Sequence, residues 1–213
     1  QSLIASRSSC AQHGIGFHCV IYVWKAEHMF ATKKELGFCD VIFNNGLWTD
    51  HMLQVPDLWG GSFERPPTHL TLMMDDMDAS QVRMPALLET MDAVGYQVAS
   101  PAIPGWQTSS SLQREGCLAH RTDHVDILFS VFSPQAWQCW RNHIDLELNR
   151  YGWGYDLTMA DLCNVKIGVI DHEVAFHDPN GCIGGGDCDA RSYDSSRARQ
   201  QMDRWIINAG VGA

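Results

Sequence analysis

The 213-residue sequence carries 25 acidic against 15 basic side chains, a formal net charge of -10, and 45% hydrophobic residues. That length fits one domain with a sizeable core and leaves little room for a second. The acidic balance, with its few lysines and arginines scattered, excludes a nucleic-acid surface, which needs the opposite sign.

No apolar run approaches the ~20 residues of a membrane-spanning helix, and residues 1–9 lack the basic-then-apolar order of a signal peptide. This segment is therefore expected to make no membrane contact itself. The first residue is Gln rather than Met, which leaves room for a targeting segment or anchor upstream.

In chain order, the apolar, β-branched run Phe17 to Trp24 predicts a buried strand, and Ala26 to Leu36 a short helix stopped by Gly37. A second buried strand is expected over Asp40 to Phe43, ending at Asn44, Asn45 and Gly46. The Pro/Gly-rich stretch Pro56 to Pro67 reads as loop. Thr68 to Met74 predicts a third strand, which runs into Asp75, Asp76, Met77 and Asp78 at the end of what should be a central strand of the sheet. Ser80 or a neighbour caps a helix whose apolar face is Met84, Leu87, Leu88, Met91 and Val94, with Pro85 in its first turn and Gly95 as its stop. Strand signals return at Tyr96 to Ala99, Trp106 to Ala119 is polar loop, and Asp126 to Phe132 is again strand.

Ser133 and Pro134 form a cap and first-turn pair for a helix burying Trp137, Trp140, Ile144 and Leu148. Asp156 is placed to open a short helix, Leu157 to Cys163, and Lys166 to Ile170 is the last strand. Strands alternating with helices imply an α/β fold with a mainly parallel central sheet, flanking helices, and ligands at the carboxyl ends of the strands. Residues 1–181 form that domain. Residues 182–213 read as a linker containing Gly184, Gly185 and Gly186, then an amphipathic helix from Ser195 to Asn208 docking on the core through Ala198, Met202, Trp205 and Ile206.

Eight cysteines permit a disulfide framework, which would place the protein in the lumen of the secretory pathway, Golgi-like, or outside the cell; with free thiols the expected location is the cytoplasm. None forms a CxxC pair, which argues against structural zinc. Cys139 and Cys163 sit among apolar residues, where free thiols pack as small hydrophobes. Cys10 with Cys19, and Cys182 with Cys188, flank loop-like sequence and are the favoured bridges.

The strongest chemical signal is Asp75-Asp76-Met77-Asp78. Three carboxylates at a strand end repel one another unless a cation or solvent compensates, and oxygen ligands suit a hard ion, Mn²⁺ or Mg²⁺. Asp76 and Asp78 form a DxD pair; the competing reading is that these acids only cap the following helix. Around Trp153, Gly154 and Tyr155, glycines let a loop approach a ligand while aromatic faces stack on sugars, and Asp156 is the candidate general base toward an acceptor hydroxyl. Asp156 as a simple N-cap and Trp153 as core is the alternative.

His177 follows a strand and the acidic residues Asp171 and Glu173, where a neutral imidazole would complete a metal shell, with His172 as the competing choice. Lys25, Asn44, Asn45 and Asp50 follow the first two strands and are placed to read a nucleotide's base, ribose or phosphate, although turn formation explains the asparagines equally well. Arg121 either balances phosphate charge or pairs with Asp123. His120 and His124 have HxxxH spacing without the glutamate of a zinc hydrolase. The absence of GxGxxG, GxxxxGK[ST] and GxSxG removes the main support for dinucleotide, P-loop and α/β-hydrolase readings.

Five blocks in order carry a resemblance: Leu72 to Asp78; Ser100-Pro101-Ala102; Val125 to Ser133; Gly152 to Asp156; and Ile167 to Asp171 with His177. Together they resemble the domain-of-unknown-function group labelled lysine-ketoglutarate-reductase trans-splicing-related, whose core is similar to GT-A glycosyltransferases. Met77 interrupts the family's acidic triplet, and Ser100 stands where Gln is usual.

The resemblance implies metal-dependent transfer of sugar from a nucleotide-sugar donor to a carbohydrate or other hydroxyl acceptor. It carries the metal role onto Asp76 and Asp78, with Asp75 beside them, the acceptor-side role onto Asp156, and a ligand role onto His177. Two other functions compete: a noncatalytic carbohydrate- or nucleotide-binding module, and a carboxylate-metal phosphoester hydrolase.

Overall fold

In the computed structural model the described residues are 2–23, 25–26, 28–55, 66–105, 110–177 and 194–211. The Cys182–Cys188 bridge, the glycine-rich linker and most of the Pro56 to Pro67 loop lie outside them.

A short parallel pair opens the chain's strands: β1 (Val20–Val23) and β2 (Asp40–Phe43), joined by helix α2 (His28–Glu35), with α1 (Ser2–Gln12) before them and α3 (Trp48–Gln54) after; β2 is largely exposed rather than buried as expected, because the pair forms a two-stranded sheet of its own. The main sheet has five strands, β3 (Leu70–Met73), β5 (Val98–Ala102), β6 (His120–Thr122), β7 (Phe129–Phe132) and β8 (Ile167–Val174), in the order β3-β7-β5-β8-β6. Two-residue strands β4 (Met77–Asp78) and β9 (Phe176–His177) form a separate ladder.

The α/β class holds, but the sheet is mixed rather than mainly parallel. Among its four pairings only β5–β8 is parallel. Parallel neighbours need a crossover, usually helical. Residues 103–128 carry no helix among those described, so β7 returns antiparallel between β3 and β5. The acidic strand β3 is consequently an edge, not a centre: Thr71 is exposed, whereas every residue of β5 is buried.

Side-chain alternation along the strands divides the core. On one face Val98, Ala102, Phe132, Ile167 and Val169 pack against helices α5 (Pro134–Asn142), α6 (Tyr155–Cys163) and α7 (Ser195–Ala209) through Trp137, Trp140, Tyr155, Met159 and Trp205. On the other, Ala99, Ile103, Phe129, Val131 and Ile170 meet Leu87 and Met91 of α4 (Met84–Val94) and Cys10 of α1. Of the predicted α4 stripe Met84, Leu87 and Met91 are buried and Leu88 partly so, while Val94 is exposed in the last turn; the stop is as predicted, with Gly95 at φ 71° accepting the left-handed C-cap, and the N-cap is Arg83 rather than Ser80. Ser133 caps α5, its Oγ accepting from the Ala136 N–H at 3.3 Å. Helix α7 docks where expected: Trp205 meets Tyr155 edge-on at 4.5 Å, and Gln201 accepts from the Tyr151 N–H.

Cys19 does not pair with Cys10 as favoured, and the other favoured pair lies outside the described residues. Cys19 bonds Cys39 and Cys139 bonds Cys163, while Cys10 is a buried thiol and Cys117 an exposed one. Geometry explains the change, because the parallel register Val20↔Asp40 sets Cys19 beside Cys39, while α1 carries Cys10 into the apolar cluster under α4. Cys139 and Cys163 staple the adjacent helices α5 and α6.

Two disulfides are compatible with the secretory lumen or an extracellular location, and no helix among the described residues is long and apolar enough to cross a membrane. Replacing both Cys139 and Cys163 by serine is expected to lower stability by about 3 kcal/mol, the loop-entropy value for a closure of this length. Urea denaturation would test this, and an unchanged midpoint would show that the bridge does not constrain the unfolded chain.

Candidate functional site at the carboxyl ends of β3 and β8

Strands β3, β5 and β8 run in one direction, so their carboxyl ends share one edge of the sheet. The β3–β7 ladder continues to the Met74 N–H, which donates to Leu128 O at 2.9 Å, and sets the exit of β3 beside the residues leading into β7. The chain then turns, Met77 N–H reaching back to Met74 O, and enters β4. β4 pairs with β9 in the register Met77↔His177 and Asp78↔Phe176. This pairing brings residues about a hundred positions apart into contact: His177 Nε2 lies 3.1 Å from Asp76 Oδ2.

The other oxygen of Asp76, Oδ1, is buried and has no hydrogen-bond partner among the described residues. Neighbouring Asp75 is exposed over much of its side chain, yet partial burial, with the Asp76 charge beside it, pushes its carboxyl above the usual range. Asp78 Oδ1 accepts from the Ser80 N–H at 2.9 Å, so this member of the DxD pair is engaged locally. Among the described residues, the one trio of His, Cys, Asp or Glu with ligand atoms all within 4.8 Å is Cys139, His143 and Cys163, whose sulfurs are bonded to each other. The acidic turn thus offers Asp76 and His177 together, not a preformed three-residue cage.

The acids before His177 have other partners. β8 runs four residues past the predicted end at Ile170, because its carboxylates are paired inside the fold. Asp171 holds His120 Nδ1 at 2.8 Å and the Arg114 N–H at 2.6 Å. Glu173, fully buried, is clamped by Arg83 through the backbone N–H, Nε and Nη2. His172 sits on Leu118 O and near Glu173, away from the acidic turn.

Asp156 lies in the first turn of α6, half-buried, its Oδ1 accepting from the Leu157 N–H at 3.0 Å. Burial and then the negative charge of Asp126 push its carboxyl up to about 6, against smaller opposing effects of the Leu157 N–H and His124. A carboxylate tuned this far toward neutrality suits a general base. Because Asp126 leads into β7, Asp156 faces the same sheet edge as the acidic turn.

The neighbouring aromatic segment is placed otherwise than expected. Tyr155 is in the core, its hydroxyl accepting from the Asp145 N–H and placed to donate to Asp145 O or Asn149 O, and its pKa is pushed up to about 12 by burial. Gly154, at φ 85°, lies under Met202, and a Cβ there would come within 2.6 Å of Met202 Cγ. Neither residue is open to a sugar. Trp153 is half-buried and lines an open depression with Ser195, Arg199 and Asp203 of α7.

Arg121 is exposed on β6, the opposite edge of the sheet from β3, roughly 19 Å away at ordinary strand spacing. Its charge acts on Tyr96 instead. Lys25 and the exposed Asn45 stand just beyond the ends of β1 and β2.

Sequence reasoning missed Tyr22, His51 and Arg141. Tyr22 stacks on His51 at 4.8 Å, His51 Nε2 meets Asn44 O at 3.2 Å, and Arg141 Nη2 donates to Leu53 O at 2.8 Å. The unrecognised helix α3 gathers them. Asp50 at its third position, which accepts from the Leu47 N–H, was the available signal.

A family model described as "Protein of unknown function (DUF707)" matches residues 79–208, beginning just after the acidic turn. No curated protein matches the sequence. Among solved structures, the "Crystal Structure of A197 from STIV" is similar with a TM-score of 0.44 at 10% identity, over 76% of this chain and 86% of that one, a likeness too slight to argue from.

Proposed function

Since the chain belongs to the DUF707 family, whose function is unknown, we propose from the site itself that the protein is a metal-dependent glycosyltransferase using a nucleotide-sugar donor and a hydroxyl acceptor. The observation that carries this reading is the Asp76–His177 contact across β4–β9, with a buried, unpartnered Asp76 oxygen beside it. A carboxylate oxygen without a donor in a buried position calls for a cation. An O/N pair fits Mn²⁺ or Mg²⁺, which commonly take one or two protein ligands and complete their shells with water and substrate phosphate oxygens. Asp76 and His177 would hold the ion, with Asp75 adding negative charge nearby.

Bound there, the ion would supply neutralisation of the departing diphosphate. The chain's own residues do the rest. The Asp156 carboxylate accepts the proton of the acceptor hydroxyl as its oxygen bonds to the sugar's anomeric carbon. The bond from that carbon to the phosphate oxygen breaks, and the diphosphate leaves with the electron pair. Trp153, at the lip of its depression, offers an apolar face to an acceptor. What supports a GT-A-like core, and with it kinship to the trans-splicing-related group, is the ordered set of sequence blocks together with three strands ending at the edge that carries the acidic turn.

A noncatalytic nucleotide- or carbohydrate-binding module is the second reading, favoured by the engagement of Asp78 with Ser80. Titration calorimetry of UDP and GDP, with and without Mn²⁺, tests both. Metal-dependent nucleotide binding is expected in the natural protein. Asp76→Asn should weaken it by more than the roughly 10–100-fold typical of losing a residue that merely supports a ligand. Absence of nucleotide binding under every metal condition would sink the transferase.

A further inference from the structure

Three buried hydrogen-bond donors on separate elements have no partner among the described residues: the Tyr22 hydroxyl on β1, the Asn44 amide nitrogen just beyond β2, and Arg141 Nε on α5. Buried polar atoms are almost always satisfied, so several unsatisfied donors in one neighbourhood require an explanation.

They do share a neighbourhood. The parallel ladder pairs Tyr22 with Ile42 and continues to Asn44, whose N–H donates to Val23 O. Alternation therefore puts Tyr22 and Asn44 on one face of the strand pair. His51 covers that face, stacked on the Tyr22 ring and bonded to Asn44 O. Arg141 reaches the same helix, its Nη2 held by Leu53 O two residues on, which fixes the guanidinium plane. Its charge is felt at the Tyr22 phenol, opposing the upward push of burial on that group.

The inventory is one-sided. An amide N–H and a guanidinium N–H can only donate, and a phenol donates readily, while a fixed cation supplies positive potential. Burial outweighs the Asn44 carbonyl and the Asp50 charge in holding His51 below its usual pKa, its Nε2 is already engaged by Asn44 O, and the Asp50 carboxylate is taken up by the Leu47 N–H and Arg150. Oxygen-rich anions match such a set.

We propose that Tyr22, Asn44 and Arg141 form a binding site for a phosphate-type oxyanion, received by the phenol O–H, the amide N–H and the guanidinium Nε–H. The site is independent of the acidic turn and of the transfer reaction. Two sources share the chemistry, free inorganic phosphate and the phosphate of a nucleotide.

The test titrates inorganic phosphate, UMP and uridine into the full chain in EDTA, so that no metal contributes. Saturable binding of phosphate or UMP, but not of uridine, is expected. Tyr22→Phe, which keeps the ring on His51, and Arg141→Gln should each weaken it about tenfold or more, with Asp76→Asn unchanged. UMP binding more tightly than phosphate would identify the nucleotide as source, and equal affinities the free anion. Failure of both anions to bind, or undiminished affinity in both the Tyr22→Phe and Arg141→Gln proteins, would overturn the site. So would loss of binding in Asp76→Asn, which would assign the anion to the acidic turn. The Tyr22→Phe protein differs by one oxygen, so its result stands even if Arg141→Gln fails to fold.

Discussion

Gly152→Ala is expected to destabilise the protein by roughly 2–5 kcal/mol. Two penalties combine. The backbone at Gly152 has φ 80°, in the left-handed region where a side chain is strained. A Cβ there would also fall 2.6 Å from Thr49 Cγ2 and 2.7 Å from Trp48 Cε2, inside the first turn of α3. That turn cannot retreat freely, because Trp48 Nε1 donates to Tyr151 O at 3.0 Å and Thr49 Oγ1 to Arg150 O. The methyl would pry α3 from the loop preceding Asp156, so both candidate binding regions should loosen with it. Thermal denaturation reads the effect at roughly 2–4 °C per kcal/mol for a chain of this size. A melting temperature equal to that of the natural protein would mean that the loop relaxes at little cost and that the packing argument is wrong.

Asp156→Asn is expected to reduce turnover by roughly 10²–10⁴-fold while making the fold more stable. The opposite signs share one origin. The Asp156 carboxyl is pushed up from its ordinary 3.8 to about 6 in the fold by burial and the Asp126 charge. The folded state therefore holds this proton more tightly than the unfolded state. Stability linked to the group is fully present below about pH 4 and is lost as pH rises through 6. At neutral pH the carboxylate is a burden on the fold, lightened by the solvent contact of a half-buried group, and the amide removes it.

Activity runs the other way, since only the carboxylate accepts a proton. The rate of the natural protein should fall as pH drops through about 6. Metal-dependent release of UDP from a UDP-sugar, followed across pH, measures this limb; melting curves across the same range measure the stability gain. Full turnover in Asp156→Asn would remove the residue from the reaction, and a lower melting temperature at pH 7 would contradict the electrostatic argument.

The parts of the fold written in local pattern were legible. The stripe Met84, Leu87, Met91 with Gly95 behind it, the Ser133-Pro134 start and the face of α7 all act within one or two turns, where spacing determines burial. What spacing could not reveal was which strands become neighbours. The antiparallel insertion of β7, the edge position of β3 and the pairing of β4 with β9 are decided by packing over long separations. Helix α1 has no apolar stripe, and β6 is the polar tripeptide His120-Arg121-Thr122, so neither announced itself.

The candidate site divided along the same line. Asp76 and His177 came from motif and order, and the structure brings them together. Asp171 and Glu173 stopped the predicted strand at Ile170 because charge is rare inside a sheet; only their distant partners His120 and Arg83 make them tolerable there. Tyr155 looked like a sugar platform because it follows Gly152-Trp153-Gly154, a run in which glycines let a loop approach a ligand, whereas those glycines serve the approach of Trp48 and Met202.

The β4–β9 ladder is two residues long on each side, while the sheet it leaves is held by a core of fully buried strands. Parting Asp76 from His177 thus requires the melting of one small hinge and leaves the folded body intact. Backbone amides in this ladder should exchange with deuterium long before those of β5 or β7, and any ligand bridging the two side chains would slow that exchange. Occupancy of the acidic turn would then be written in the breathing of four residues, with the rest of the molecule silent.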